Sequence, residues 1–173
     1  MTDLGPNAKT HANTQSDSST TPIDEVAIQH DGVLIVDDNE QNLELLQAYL
    51  DELGGDVRVA HDGLQAIDSV DNNPPDIILL DIMMPNMSGF QVCEKLKKDP
   101  ATRDIPIIMV TALNEVGDVE RAIDSGADDF LTKPVNKLEL LTRVRSLLRV
   151  RQLKRQLEDA VTEIRTMRDQ AGD

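Results

Sequence analysis

The sequence predicts an α/β protein, in which a five-stranded, doubly wound parallel sheet is followed by an extended C-terminal helix. Five short apolar runs alternate with amphipathic stretches, and the runs are VLIV, VRVA, IILL, IIMV and DFL. Continuous apolar strands that alternate with helices are typical of a parallel sheet covered on both faces. A last stretch, residues 137–170, contains neither proline nor glycine and predicts one long helix.

Each element is predicted from its local pattern. The strands are expected at residues 33–36, 57–60, 77–80, 107–110 and 129–131. Between them, apolar residues recur at steps of three and four, which indicates helices with one buried face. These residues are Leu43, Leu46, Leu50 and Leu53; Leu64, Ile67 and Val70; Phe90, Cys93 and Leu96; and Val116, Val119 and Ile123.

Composition excludes several classes of protein. The net charge of −15 argues against a nucleic-acid-binding surface, which needs a basic field. The single cysteine, Cys93, rules out an internal disulfide. No apolar stretch approaches the roughly 18–20 residues of a membrane span, and the N-terminus does not resemble a signal peptide. We therefore expect a cytoplasmic protein without a membrane partner.

Three segments are expected along the chain. Residues 1–29 are rich in Thr, Ser, Asn and Asp, and we interpret them as a disordered leader. Residues 30–149 contain the alternating runs and form the single domain that a chain of 173 residues can comfortably support. Residues 150–173 are predicted to form a projecting amphipathic or coiled-coil helix and tail.

Polar residues stand where the predicted strands end. Asp37 and Asp38 follow the first strand, Asp81 follows the third, Thr111 follows the fourth, and Lys133 follows the fifth. In open parallel sheets the ligand site lies beyond the carboxyl ends of the strands. Clustered carboxylates recruit a hard cation, and Mg²⁺ fits best beside phosphate. A carboxylate nucleophile, a metal, a lysine and a hydroxyl together predict a site that accepts a phosphoryl group.

At these residues the sequence resembles the receiver domains of bacterial two-component response regulators, over roughly residues 32–150. The matching residues are Asp37 and Asp38 after VLIV, Asp81 in LLDIMMPNMSG, Thr111 in MVTA, Phe130 in DDFLTKP, and Lys133-Pro134. Asp81 lies 30 positions before Thr111 and 52 before Lys133, as in that family. The resemblance implies a flavodoxin-like sheet with strand order 2-1-3-4-5.

The resemblance also implies a role for each residue of the site. Asp81 would accept a phosphoryl group from a histidine kinase or a phosphotransfer protein. Asp38, Asp81 and the backbone carbonyl of Met83 would bind Mg²⁺, with Asp37 acting mostly through water. The protein would then be no enzyme in the usual sense, since it catalyses only its own phosphorylation and dephosphorylation.

Two further roles follow from the same resemblance. Lys133 would pair with the phosphoryl oxygens and would be placed by a cis peptide bond before Pro134. Thr111 and Phe130 would form the switch pair, with the hydroxyl moving toward the phosphate and the ring turning inward. Phe130 could also be an ordinary core residue.

Three positions depart from the common pattern of the family. Val135 stands where many relatives have an aromatic residue, which leaves the start of the last helix open. Met83 and Leu113, two positions beyond Asp81 and Thr111, are apolar and offer nothing to position an attacking water. We therefore expect slow self-dephosphorylation.

Other interpretations of these residues remain open at the level of the sequence. Asp38 or Asn39 could cap the first helix. A phosphatase of the haloacid dehalogenase type also uses a strand-end aspartate, but that family needs an aspartate two residues after its nucleophile, and Asn39 occupies this position after Asp37. A receiver-like scaffold that is never phosphorylated and acts through the C-terminal helix is the remaining alternative.

The C-terminal helix has a stripe of apolar residues that is separate from the predicted core. From Val150 to Met167, apolar residues alternate at steps of three and four, as in a coiled coil of about two and a half heptads. In a parallel dimer Glu163 would face Arg168 of the other copy, whereas Arg149 would face Lys154. The segment resembles signalling helices that join receivers to output domains. We expect a weak homodimer or the binding of a partner protein.

Overall fold

The computed structural model describes residues 32–112 and 116–171, and it contains the five predicted strands. These are β1 Val33–Val36, β2 Val57–Ala60, β3 Ile77–Asp81, β4 Ile107–Thr111 and β5 Asp129–Thr132. β3, β4 and β5 extend one residue beyond the predicted apolar runs, and in each case the added residue is the polar one that ends the strand. The proposed leader, residues 1–29, and Leu113 lie outside the described residues.

All five strands pair in parallel, in the order β2-β1-β3-β4-β5. The expected strand order is therefore confirmed. Val36 is paired with Leu80, so that the residues after them, Asp37 and Asp81, extend from neighbouring strands at the same edge. Asp81 is paired with Val110 in turn, which brings Thr111 to that edge as well.

Five helices connect and follow the strands. They are α1 Glu40–Leu50, α2 Gly63–Asn72, α3 Gly89–Lys98, α4 Val116–Asp124 and α5 Lys137–Ala171. A short 3₁₀ turn, Asp51–Leu53, ends the first helix, so Leu53 is no longer part of its regular face. Asn39, Asp62 and Ser88 cap the first three helices through their side-chain oxygens, which accept hydrogen bonds from otherwise unpaired backbone N–H groups.

The sheet separates two apolar layers, because successive side chains of a buried strand point to opposite faces. Leu34, Ile78 and Ile107 face the layer that includes residues of α2 and α3. Val33, Ile77 and Ile108 face the layer formed with α1 and α5. The runs VLIV of β1, IILL of β3 and IIMV of β4 are therefore apolar at every position, as predicted for a sheet covered on both faces.

Among the residues of the predicted helical faces whose side chains the structure describes, which excludes Val116 and Val119, two are exposed. Leu64 at the start of α2 and Ile123 near the end of α4 have 62% and 65% of their surface in solvent. In α2 the buried face is formed by Gly63, Ala66 and Ile67 with Val70, and Leu64 lies beside it. An apolar residue at a helical step from its neighbours can therefore lie just outside the contact, because only part of the helix circumference meets the sheet.

α5 continues well beyond the domain. Its buried apolar residues are Leu140, Leu141, Val144 and Leu148, whereas residues 153–170 are exposed throughout. A helix of 35 residues is about 50 Å long, so its second half must project. We call residues 150–171 the α5 arm.

In the described part of the chain, no helix is long and apolar enough to span a membrane.

Candidate functional site

Three carboxylates meet at the edge where β1 and β3 end. One oxygen from each of Asp37, Asp38 and Asp81 lies within 4.8 Å of the others. Asp37 and Asp81 are 1% and 4% exposed, whereas Asp38 is open to solvent. The predicted convergence of these three residues is therefore present, with two acids in the protein interior and one at the mouth.

Lys133 reaches this cluster from the loop after β5. Its Nζ donates to Asp37 Oδ2 at 2.7 Å and to Asp81 Oδ1 at 3.0 Å. The Lys133-Pro134 peptide bond is cis, as the resemblance implied. The backbone N–H of Lys133 donates to the carbonyl of Thr111 at 2.7 Å, which ties the loop to the end of β4.

Burial and charge change the acidity of the two central groups. Burial raises the pKa of Asp81; the hydrogen bond and charge of Lys133 oppose this, and Asp37 and Asp38 add to it. The pKa of Lys133 is raised in turn: burial acts against its charge, but its hydrogen bonds to Asp37 and Asp81 outweigh the burial. Lys133 therefore stays a cation, and Asp81 is a stronger base than an ordinary aspartate.

Asp37 is held by more donors than Lys133 alone. The side-chain amide of Asn42 donates to both of its oxygens, at 3.1 and 3.0 Å, and the backbone N–H of Asn39 donates to Oδ1 at 2.9 Å. Asn42 was not singled out from the sequence. The available signal was its place in the first turn of the helix that follows Asp37, where a side chain can reach back to the end of β1.

The helix cap and the acidic site use different residues. Asn39 Oδ1 accepts from the backbone N–H groups of Gln41 and Asn42, at 2.9 and 3.2 Å. Capping therefore belongs to Asn39, one of the two residues considered from the sequence. Asp38 is left with its carboxylate toward the cluster and the solvent.

The loop after β3 is fixed by a close approach at Gly89. A Cβ at this position would lie 2.2 Å from the backbone carbonyl oxygen of Asp81 and 2.9 Å from the Cα of Ile82. The Gly89 N–H donates to the carbonyl of Ile82 at 3.0 Å. Within the same loop Asn86 has a φ of 65°, and the Met83 side chain is 70% exposed. Only glycine at position 89 lets the chain fold back onto the end of β3.

The two residues expected to form a switch lie on adjacent strands with opposite exposure. Thr111 is 2% exposed, and its Oγ1 is buried without a hydrogen-bond partner. Phe130 is 37% exposed, so its ring is not packed in the core. A buried hydroxyl without a partner is costly, and here it lies at the strand edge that carries Asp81.

Comparison with known proteins agrees with this geometry. The family described as response regulator receiver domain matches residues 33–145. PleD, a response regulator from Caulobacter vibrioides, is 51% identical over 117 residues, which cover 68% of this chain and 26% of that protein. RpaA, a DNA-binding transcriptional regulator from Synechocystis, is 44% identical over 117 residues, which cover 68% of this chain and 48% of that protein. The chain thus spans about a quarter to a half of the length of these relatives.

Solved structures give the same result. A response regulator from Chloroflexus aurantiacus superposes with a TM-score of 0.66 at 32% identity, covering 69% of this chain and 98% of that one. The signal receiver domain of a LuxO repressor protein from Vibrio parahaemolyticus gives 0.69 at 30% identity, covering 75% and 98%. Both have the flavodoxin-like fold of receivers. With its site and sheet order, this chain belongs to the response regulator receiver family of two-component signalling.

Proposed function

We propose that Asp81 accepts a phosphoryl group from a histidine kinase or a phosphotransfer protein. The observation that carries the proposal is the contact between Lys133 Nζ and Asp81 Oδ1, at 3.0 Å inside a buried acidic cluster. In the transfer an Asp81 oxygen forms a bond to phosphorus while the phosphorus–nitrogen bond of the donor histidine breaks. Lys133 neutralises the negative charge that the phosphoryl oxygens bring into the site.

The donor set fits Mg²⁺, which takes oxygen ligands and retains several waters. Asp38 and Asp81, with the backbone carbonyl of Met83, would hold it, and Asp37 would act mostly through water. Asp37 already accepts from Asn39, Asn42 and Lys133, which favours this indirect role. When bound, the ion neutralises charge on the phosphoryl oxygens.

Thr111 and Phe130 are proposed as the switch pair. The unpartnered Thr111 hydroxyl would donate to a phosphoryl oxygen on Asp81, which gives this buried group the hydrogen bond that it lacks. Movement of Thr111 would leave room for the half-exposed ring of Phe130 to turn inward. Partner binding would then respond to phosphorylation.

Slow loss of the phosphoryl group belongs to the same proposal. The exposed Met83 side chain offers no hydrogen bond to an attacking water, and Leu113, outside the described residues, is also apolar. The chemistry of the protein is then limited to its own phosphorylation and slow dephosphorylation. A cytoplasmic location goes with this role, because a kinase derives the phosphoryl group from ATP.

We also propose that the α5 arm pairs with a second copy of the chain, in parallel. Its apolar stripe comprises Val150, Leu153, Leu157, Ala160, Ile164 and Met167 at steps of three and four, together with Val161; apart from Ala160, these are 38–65% exposed. Asp104 supports the parallel arrangement, because it binds Lys154 within each copy. It thereby offsets the repulsion between Lys154 and Arg149 of the other copy.

The phosphoacceptor is tested by intact mass after incubation with Mg²⁺ and acetyl phosphate. The parent chain is expected to gain one phosphoryl group, and Asp81→Asn none. Asp68→Asn, an exposed aspartate on α2, is the matched control and should gain the group like the parent. Equal gain in Asp81→Asn would refute the assignment.

Light scattering on the same samples tests the dimer, and a monomer at every concentration and phosphorylation state would exclude it.

A further inference from the structure

α5 stays attached to the domain beyond its last buried apolar residue, Leu148, through charged side chains. Arg151 Nε lies 3.0 Å from Asp76 Oδ1, and Arg155 Nη2 lies 2.8 Å from the same oxygen. One carboxylate therefore joins two successive turns of the helix. This contact lies where the α5 arm begins and outside the region that accepts phosphate.

Asp76 is buried at the opposite end of β3 from Asp81. Its side chain is 3% exposed, and its backbone N–H donates to the carbonyl of Gly32 at 2.8 Å. A buried carboxylate is costly unless it is paired and hydrogen-bonded. The negative charge of Asp76 is therefore stabilised in its buried position by the ion pairs with Arg151 and Arg155.

The arginine on the other side of this contact is also largely buried. The Arg151 side chain is 12% exposed, and its Nη1 donates to the backbone carbonyl of Asp104 at 2.7 Å. Lys154 binds the side chain of the same Asp104. The start of the arm is therefore joined both to the residue before β3 and to the loop before β4.

We infer that Asp76, Arg151 and Arg155 form an ionic joint that holds the start of the α5 arm as an ordered helix, fixed on the receiver domain. The three are positioning residues. A solvent-exposed helix of about 20 residues is only marginally stable by itself, so an attachment at its first two turns decides how much of it is formed in a single copy.

The joint also fixes the direction in which the apolar stripe is presented. At about 100° per residue, Arg151 and Arg155 point roughly 140° and roughly 180° away from the centre of the stripe between Leu153 and Leu157. With the charged side held on the domain, the stripe is turned outward. Two copies can then meet without first releasing the arm.

The test is amide hydrogen exchange of residues 150–159 in the unphosphorylated chain, at concentrations where light scattering gives the monomer mass. Arg151→Gln and Arg155→Gln are expected to speed exchange in this segment by about tenfold or more, the loss expected when a charged hydrogen bond is removed. Arg165→Gln is the matched control, because it removes the same charge at the heptad position of Arg151, two heptads further along. It should leave residues 150–159 unchanged.

Exchange in β1 and β3 distinguishes a joint from a general contribution to stability. Faster exchange confined to residues 150–159 supports the joint, whereas no change, an equal change in Arg165→Gln, or a uniform change over the whole domain would overturn it. Asp76→Asn provides a second route: in the chain that carries both Arg151→Gln and Arg155→Gln it should add little, because both contacts between the carboxylate and the arginines are already lost. Full additivity of Asp76→Asn with the two arginine substitutions would contradict the inference. None of these readouts depends on phosphorylation of Asp81.

Discussion

The side-chain amide of Asn42 donates to both carboxylate oxygens of Asp37, at 3.1 and 3.0 Å. This contact joins the first turn of α1 to the end of β1 and holds one acid of the cluster in place. Lys133 donates to the same carboxylate from the loop after β5. The acidic site is therefore built on a supported Asp37, with Asp38 open to the solvent and Asp81 in contact with Lys133.

Asn42→Ala is expected to destabilise the fold by about 1–2 kcal/mol, because a buried carboxylate loses two of its hydrogen bonds. Urea unfolding at neutral pH measures the change. Gln41→Ala, an exposed neighbour on the same helix, serves as the control and should change the free energy of unfolding by no more than about 0.5 kcal/mol. Equal effects of the two substitutions would mean that the amide does not support Asp37.

Asp81→Asn is expected to stabilise the metal-free protein at neutral pH by about 0.5–2 kcal/mol, since it removes one of three clustered carboxylates. The pKa of Asp81 is raised in the folded state, chiefly by burial. The folded protein therefore binds the proton of the Asp81 carboxyl group more tightly than the unfolded chain does. The stability that this group contributes is complete below the unfolded pKa of 3.8, and it is lost as the pH rises through the pKa of Asp81 in the folded protein.

The advantage of Asp81→Asn should accordingly be small at low pH and should grow as the pH rises through the folded pKa of Asp81. Thermal unfolding of both proteins over a pH series, with a chelator present, measures this difference. A difference that stays constant with pH, or that shrinks as the pH rises, would contradict the raised pKa.

Thr111→Val is expected to stabilise the unphosphorylated protein by about 1 kcal/mol, because it replaces a buried hydroxyl without a partner by a methyl group of similar volume. The same change should weaken the response to phosphorylation, since the hydroxyl can no longer donate to the phosphoryl group. Urea unfolding with and without acetyl phosphate measures both effects. A destabilised unphosphorylated protein would show that Thr111 has a partner in solution.

Gly89→Ala and Gly117→Ala should change stability in opposite directions. A Cβ at position 89 would meet the Asp81 carbonyl oxygen at 2.2 Å, whereas nothing lies within 4 Å of one at position 117 in α4. We expect a loss of about 2–3 kcal/mol for the first and a gain of up to about 1 kcal/mol for the second. Thermal unfolding compares them, and tolerance of alanine at position 89 would refute the close approach.

Most of the fold could be predicted because the strands and helices carry different apolar periods. The β3 run IILL is buried on both faces and is continuous in sequence, whereas α3 repeats at three and four residues around Cys93. The exposure of Leu64 and Ile123 could not be predicted in this way. The period identifies a helix, but which part of its circumference meets the sheet depends on packing between elements distant in sequence.

The site could be predicted at Asp37, Asp81 and Lys133 because parallel strands carry their carboxyl ends to one edge. Asn42 was missed, since its place in the first turn of α1 allows a contact with Asp37 but does not distinguish it in sequence from a solvent-exposed asparagine. Asp76 and Arg151 were missed for a related reason. They are 75 residues apart, and their pairing depends on α5 crossing the sheet edge opposite to the acidic site.

Locating the phosphoryl group within the chain tests most directly whether Asp81 is the phosphoacceptor. After incubation with Mg²⁺ and a phosphorylated histidine phosphotransfer protein, peptides of the parent and of Lys133→Ala are analysed by tandem mass spectrometry. One modified residue, Asp81, is expected, with much lower occupancy in Lys133→Ala. A phosphoryl group on Asp37, on Asp38 or outside the cluster, or equal occupancy in Lys133→Ala, would contradict the assignment of Asp81 as the phosphoacceptor.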